Sequence, residues 1–244
     1  MSDKSTLVLI GEDAPPSVLK SLTQKGFEVF ALKRDSRLAL PVSSHADMLL
    51  FCTDGKVFLT KEYADSFPQL TRLLCEYGYE VILNHGDPKS EYPHDILFNI
   101  ALIKKEVLGN IPYIDEEIKN YLLGNGYVLH SVKQGYAKCS SAIIGDKALI
   151  TADKTIEAAA SSLGIDVLRI SNSSEIRLNG YDYGFIGGAC GYCDGTLYFC
   201  GDITLHPEYQ AISDFCDKHS TSLCSLSDES LYDVGSIFFL KKIK

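Results

Sequence analysis

Long apolar runs are the first thing this chain lacks. No stretch of its 244 residues approaches the ~18 apolar residues that a membrane-spanning helix needs. The opening segment, Met1-Ser-Asp-Lys-Ser-Thr-Leu-Val-Leu-Ile10, meets Gly11 and Glu12 well before the ~7–15 apolar residues of a secretory leader are reached. A cytoplasmic location without membrane contact is therefore expected. Basic charge is also scarce: 23 Lys and Arg stand against 32 Asp and Glu, a net charge of −9. Phosphate contacts need a basic face, so the balance argues against nucleic acid as a partner. With 45% hydrophobic and 23% charged residues, the composition is that of an ordinary globular chain and not of a disordered one.

Two further motifs are missing. Eight cysteines are present, but the chain is neither small nor visibly secreted, the two conditions of a disulfide scaffold. Several sit in apolar runs such as Leu50-Phe51-Cys52 and Tyr198-Phe199-Cys200, where a free thiol packs as a small hydrophobe. Cys190-Gly-Tyr-Cys193 is a lone CxxC with no second pair at zinc-like spacing, so packing is its expected role, and neither metal nor cofactor is expected. Gly184-Phe-Ile-Gly-Gly-Ala-Cys-Gly191 is neither GxGxxG nor a P-loop and runs into another strand. Close backbone packing explains it better than phosphate binding, which needs glycines that feed a helix N-terminus.

What the chain does have is repetition. A helical stretch, a glycine and a short strand recur at Gly26-Phe-Glu-Val-Phe30, Gly78-Tyr-Glu-Val-Ile82, Gly126-Tyr-Val-Leu-His130 and Gly164-Ile-Asp-Val-Leu168. A degenerate fifth copy, Ser220-Thr-Ser-Leu-Cys224, has no glycine. The glycine suits the left-handed position that closes a helix. Matching start signals stand at Pro15-Pro16, Pro68, Asp115-Glu-Glu117, Asp153 and Pro207-Glu208. Paired strands joined by Asp54-Gly55, Gly145-Asp146 and Asp194-Gly195 precede most helices.

The unit is thus strand, strand, helix, strand, over about 40–84, 92–132, 135–170 and 181–226. Residues 231–244 begin a fifth unit that lacks a helix, and residues 6–32 supply the missing parts. A unit split between the termini lets the array close into a ring, so residues 1–244 are expected to form one domain with residues 6–32 packed beside 231–240. The alternative, a doubly wound α/β sheet, leaves the paired strands unexplained.

Five such units, together with phrases such as Gly184-Phe-Ile-Gly-Gly-Ala-Cys-Gly191 and Asp233-Val-Gly-Ser236, resemble the pentein fold of the guanidino-modifying enzymes. The resemblance covers about residues 6–240 and implies an α/β five-bladed propeller. The superfamily includes arginine and agmatine deiminases, dimethylargininases and amidinotransferases, and a ribosome anti-association factor uses the same propeller without catalysis. The enzymes carry a cysteine nucleophile in the last unit. Here Gly235-Ser-Ile-Phe-Phe-Leu240 puts a phenylalanine, Phe239, in that place, and fold alone does not give function.

In such a ring the first strand of each unit is expected to line a central channel, where the unit starts supply His45 and Asp47, His94, Asp95 and Asn99, Lys138, Cys139 and Ser140, Cys190, and Asp233 and Ser236. Asp47, Asp95, Asn99, Asp233 and Ser236 are the candidate binding residues, since carboxylates accept paired hydrogen bonds from a planar guanidinium. Cys139 is the substitute nucleophile and His45 its general acid or base. Lys138, next to Cys139, is expected on the opposite strand face. The expected partner is a small cationic or amidine-bearing metabolite that the protein binds and, if it is an enzyme, hydrolyses at a C–N bond. The alternative is a non-catalytic propeller that acts as a protein-interaction module.

Overall fold

The computed structural model describes residues 5–243. Its strands are β1 (Thr6–Gly11) and β2 (Glu28–Leu32), then β3 (Leu50–Thr53), β4 (Lys56–Thr60) and β5 (Glu80–Asn84). There follow β6 (Ala101–Ile103), β7 (Glu106–Gly109) and β8 (Val128–Ser131), then β9 (Ser141–Ile144), β10 (Ala148–Thr151) and β11 (Asp166–Arg169). The last group is β12 (Ile176–Arg177), β13 (Cys190–Cys193), β14 (Thr196–Phe199), β15 (Ser222–Ser225), β16 (Leu231–Tyr232) and β17 (Phe238–Lys241). They form five three-stranded sheets: β17-β1-β2, β3-β4-β5, β6-β7-β8, β9-β10-β11 and β13-β14-β15. In each, the first strand runs antiparallel to the second, and a helical crossover makes the third parallel to it. The expected pairing across the termini is present, with Val8 opposite Phe239.

The crossover helices are α1 (Pro16–Gln24), α5 (Glu116–Gly124), α6 (Lys154–Ser162) and α7 (Tyr209–Lys218), with α3 (Lys61–Ser66) and α4 (Pro68–Glu76) together joining β4 to β5, and a single-turn helix, α2 (Ala46–Leu49), leads into β3. Asp115 and Asp153 cap α5 and α6 by accepting two backbone N–H bonds each. The repeat reading missed α3. It is separate from α4 because Pro68 forces Phe67 out of helical geometry, to φ −131° and ψ 62°. The fifth helix-closing position is filled without glycine, Ser220 taking φ 53° where Gly164 has 75°. The hairpin at Lys104, φ 57°, also lacks a glycine signal. A two-residue parallel ladder between β12 and β16 was not anticipated either.

Alternation along the middle strands decides how the sheets meet, because successive side chains leave a strand on opposite faces. Leu7 and Leu9 pack with Val57 and Leu59, whereas Val8 and Ile10 pack with Cys200, Leu226 and Ile237. Phe58, on the other face of β4, joins Phe98 and Val107. Leu108 joins Leu149, and Ile150 joins Leu197 and Phe199. Each of the five apolar clusters therefore lies between neighbouring sheets, and each sheet is shared by two clusters.

A turn precedes the first strand of every sheet, and these turns bond to one another. Asp47 N donates to Gly235 O at 3.1 Å, Ser236 N to Gly188 O at 2.8 Å and Gly188 N to Cys139 O at 2.8 Å. Lys138 N donates to Asn99 Oδ1 at 2.7 Å, and Asn99 Nδ2 meets Met48 Sδ at 3.3 Å. The glycine-rich segment supplies the clearance, as expected: a Cβ on Gly188 would stand 2.0 Å from Asp233 Oδ1, and one on Gly187 2.3 Å from Ser141 O. The candidate polar residues sit on these turns, not on the first strands, which corrects the sequence-based expectation. The strands use both faces for apolar packing, so polar side chains are displaced to their ends.

Ser220 generates a stability prediction. A non-glycine residue in the left-handed region costs roughly 1–2 kcal/mol, partly offset by the chain entropy that a glycine loses on folding. Ser220→Gly should therefore raise stability by about 0.5–1 kcal/mol, read as a higher urea midpoint at unchanged slope. A lower midpoint would show that the Ser220 side chain contributes more than its backbone strain costs.

Candidate functional site

Asn99 organises the site. Its Oδ1 accepts from the backbone N–H groups of Lys138 at 2.7 Å and Cys139 at 3.3 Å, which pins the turn that carries Cys139. The side-chain amide N–H groups are thereby aimed at sulfur, 3.4 Å from Cys139 Sγ and 3.3 Å from Met48 Sδ. The Cys139 thiol donates to Asp47 Oδ2 at 2.9 Å. Ser236 Oγ lies 2.7 Å from that same oxygen and 3.0 Å from Gly187 O, and its one proton serves either acceptor. Lys138 Nζ donates to Ser236 Oγ at 2.9 Å. Lys138 thus belongs to the network and does not point to the opposite face. Its residues form a turn, in which the alternation of a strand does not apply.

Asp233 adjoins this network, accepting from Phe185 N at 2.8 Å and Gly235 N at 3.0 Å. Its Oδ1 is 3.9 Å from His45 Nδ1. His45 stands at the start of the single-turn α2, two residues before Asp47, so the two side chains arrive together. Asp95 stands apart from the other six candidates and accepts from the Tyr136 hydroxyl at 2.6 Å. All seven candidates are buried. His94 lies elsewhere, with its ring against Tyr113. Phe239 packs against Phe27 and Tyr198, an apolar contact between sheets.

Burial dominates the electrostatics. It raises the carboxyls of Asp47 and Asp95 above the usual range and brings Asp233 to about 6. It lowers His45, which is therefore held neutral. The Cys139 thiol is pushed well up by burial and then by the charges of Asp47 and Asp233. Cys139, the expected nucleophile, is therefore a thiol at rest. Among the described residues, none of the three aspartates forms an ion pair with lysine or arginine; Asp233 lies near His45, which is neutral. Four buried polar atoms here have no hydrogen-bond partner among the described residues: His45 Nδ1, Asp47 Oδ1, Asp95 Oδ1 and Ser140 Oγ.

A cavity of about 250 Å³ opens over this cluster. His45, Cys139 and Asp233 line it, together with Tyr136, Tyr181 and Phe185. Aromatic rings continue outward, with Tyr92 5.6 Å from Tyr136, and Phe185 6.2 Å from both Tyr136 and Tyr183. Sequence reasoning missed this aromatic wall. The alternation of Tyr181, Tyr183 and Phe185 just before the glycine-rich turn was the available signal. Carboxylates and aromatic faces around one small cavity match the needs of an organic cation, which is attracted to both.

Five like sheets whose first strands start from turns near one polar site give the protein the pentein fold, and solved structures share it. DDAH from Pseudomonas aeruginosa in complex with citrulline superposes with a TM-score of 0.55 at 11% identity, covering 91% of each chain. An amidinotransferase from Microseira wollei in the saxitoxin biosynthetic pathway gives 0.61 at 9% identity, over 98% of this chain and 95% of that one. Agmatine deiminase of C. jejuni gives 0.54 at 9% identity, over 98% and 94%. Among curated proteins no sequence matches the chain. By its sequence the chain belongs to the family described as a family of unknown function, DUF6873, whose model matches residues 9–238.

Asp95 allows a clean test of buried charge. Its carboxyl is raised by burial, so the folded state favours the protonated form. That stabilising contribution is complete below the ordinary carboxylate value and is lost as pH rises through the raised one. Asp95→Asn keeps an oxygen for Tyr136 and removes the charge. The variant should be more stable than the parent at pH 8, with the gap narrowing toward pH 4, by urea midpoints. A pH-independent gap would mean that Asp95 is not buried as a charge.

Proposed function

We propose that the protein binds a small cationic guanidino or amidine compound in the cavity lined by Asp233, His45 and Cys139. The observation that carries this reading is the set of buried aspartates with no direct ion pair to lysine or arginine among the described residues, Asp47 reaching Lys138 only through Ser236, beside aromatic walls. Leaving buried carboxylates unpaired is costly, and a planar cation that donates several N–H bonds removes that cost. In this reading the five sheets are the blades of one closed propeller, and residues 1–244 act as a single domain. The shared apolar clusters and the bonds from turn to turn support both statements. The eight cysteines, all free, support a reducing, cytoplasmic setting. An interaction module that used only its outer faces would have no need of unpaired carboxylates at its centre.

A second reading adds hydrolysis of the ligand. It is favoured by Cys139 Sγ lying within 4.8 Å of a His45 ring nitrogen where both line the cavity. In that reaction the Cys139 proton passes to Asp47 along their existing hydrogen bond, and sulfur adds to the amidinium carbon. The leaving amine departs with the proton that Asp47 received, and water then adds to the carbon as the carbon–sulfur bond breaks, one of its protons returning to sulfur as the thiol. Asp95 acts on either reading through Tyr136, and Asn99 and Ser236 hold Cys139 and Asp47 in position.

Titration calorimetry with agmatine, arginine and simple amidines tests the binding. Asp233→Asn should weaken the best ligand by about 1.5–3 kcal/mol, roughly tenfold or more in affinity, while Asp95→Asn should have a smaller effect. No binding by any guanidino or amidine compound, or an Asp233→Asn affinity equal to the parent's, would overturn the reading. Hydrolysis is tested separately by amine release, which Cys139→Ala should abolish while binding persists.

A further inference from the structure

We propose that His45, Asp47 and Cys139 also form a binding site for one divalent metal ion of the zinc class. One donor atom from each of these three side chains lies within 4.8 Å of the other two, and all three residues are buried. The set of imidazole nitrogen, carboxylate oxygen and sulfur is that of zinc and cobalt, whereas magnesium and calcium take oxygen alone. Three protein ligands leave a fourth position, and His45 and Cys139 both line the cavity, so that position is open to water or a small ligand.

Two independent observations point to a missing partner at this place. His45 Nδ1 and Asp47 Oδ1 are buried and unbonded, although buried polar atoms are nearly always satisfied. The surrounding groups also fit a metal's outer shell. Asn99, held by two backbone N–H groups, directs its amide at Cys139 Sγ, a bond that a thiolate accepts better than a thiol. Ser236 Oγ approaches Asp47 Oδ2 at 2.7 Å. Donor atoms around a tetrahedral zinc stand about 3.5 Å apart, so closing the site from at most 4.8 Å needs only small side-chain movement.

The step balances without any redox change. The Cys139 S–H bond breaks, a sulfur–metal bond forms, and the proton now shared with Asp47 leaves to solvent. A metal ion there neutralises Asp47 and takes up the donor atoms of His45 and Cys139, which line the cavity, so the two occupants are alternatives. The metal site stands whether or not the cavity binds guanidino compounds. Sequence spacing had no means of finding it, because its ligands come from positions 45, 47 and 139 on two different turns.

Cobalt(II) titration of chelator-treated protein, followed by absorbance, tests the proposal. A near-ultraviolet band from charge transfer between thiolate and cobalt should saturate at one equivalent and vanish when zinc is added. Cys139→Ser should abolish the band, and His45→Gln should weaken cobalt binding about tenfold or more. Cys190→Ser should leave the band intact, which separates this site from the Cys190–Cys193 pair. Circular dichroism checks each fold, and if Cys139→Ser does not fold, His45→Gln and Cys190→Ser decide between them. Absence of the band in the parent, its survival in folded Cys139→Ser, unchanged affinity in His45→Gln or its loss in folded Cys190→Ser would each overturn the assignment.

Discussion

The close approach of five backbone turns is the constraint on which the rest of this structure depends. Gly187 and Gly188 let the turns approach until no side chain fits between them: the space of the Gly188 Cβ is taken by Asp233. Peptide groups then bond from turn to turn, Asp47 to Gly235, Ser236 to Gly188 and Gly188 to Cys139. A substitution there acts on several sheets at once, since each turn starts the first strand of its own sheet. The polar site and the fold share these atoms, and a change in one is felt in the other.

The same crowding explains the chemistry of the site. Most polar side chains on the turns point into the small volume that the backbones enclose, where they are buried. Carboxylates there rise in pKa, His45 stays neutral and Cys139 remains a thiol. The aspartates and Cys139 are therefore poised for a positively charged visitor, which restores the negative charge that burial suppresses, while His45 offers a neutral ring nitrogen. An organic cation over Asp233 and a metal ion among His45, Asp47 and Cys139 are two answers to one electrostatic deficit.

The outer parts of the molecule follow from separate and more local rules. Helices end where a residue adopts a left-handed conformation, by glycine in four units and by Ser220 in the fifth. Asp115 and Asp153 begin helices by capping. Middle strands such as β4 and β10 divide their side chains between two clusters, so each sheet is buried on both faces although it has only three strands.

Local order was legible in the sequence because its causes are local. Helix caps, left-handed glycines and the Asp54-Gly55 and Asp194-Gly195 turns act over a few residues, and their recurrence exposed the repeated unit and its split across the termini. The convergence of Cys139, Asp47, Asn99 and Ser236 could also be read, because equivalent positions in repeated units meet near a common centre. What only the tertiary structure decided depends on distances between units. It put the site residues on turns and not on strands, brought Lys138 to Ser236, left Asp95 apart behind Tyr136, and assembled an aromatic wall from Tyr136, Tyr181 and Phe185. It also decided that Cys139 is a thiol, because a pKa depends on burial and on charges that lie far away in sequence, and no neighbouring residue reports them.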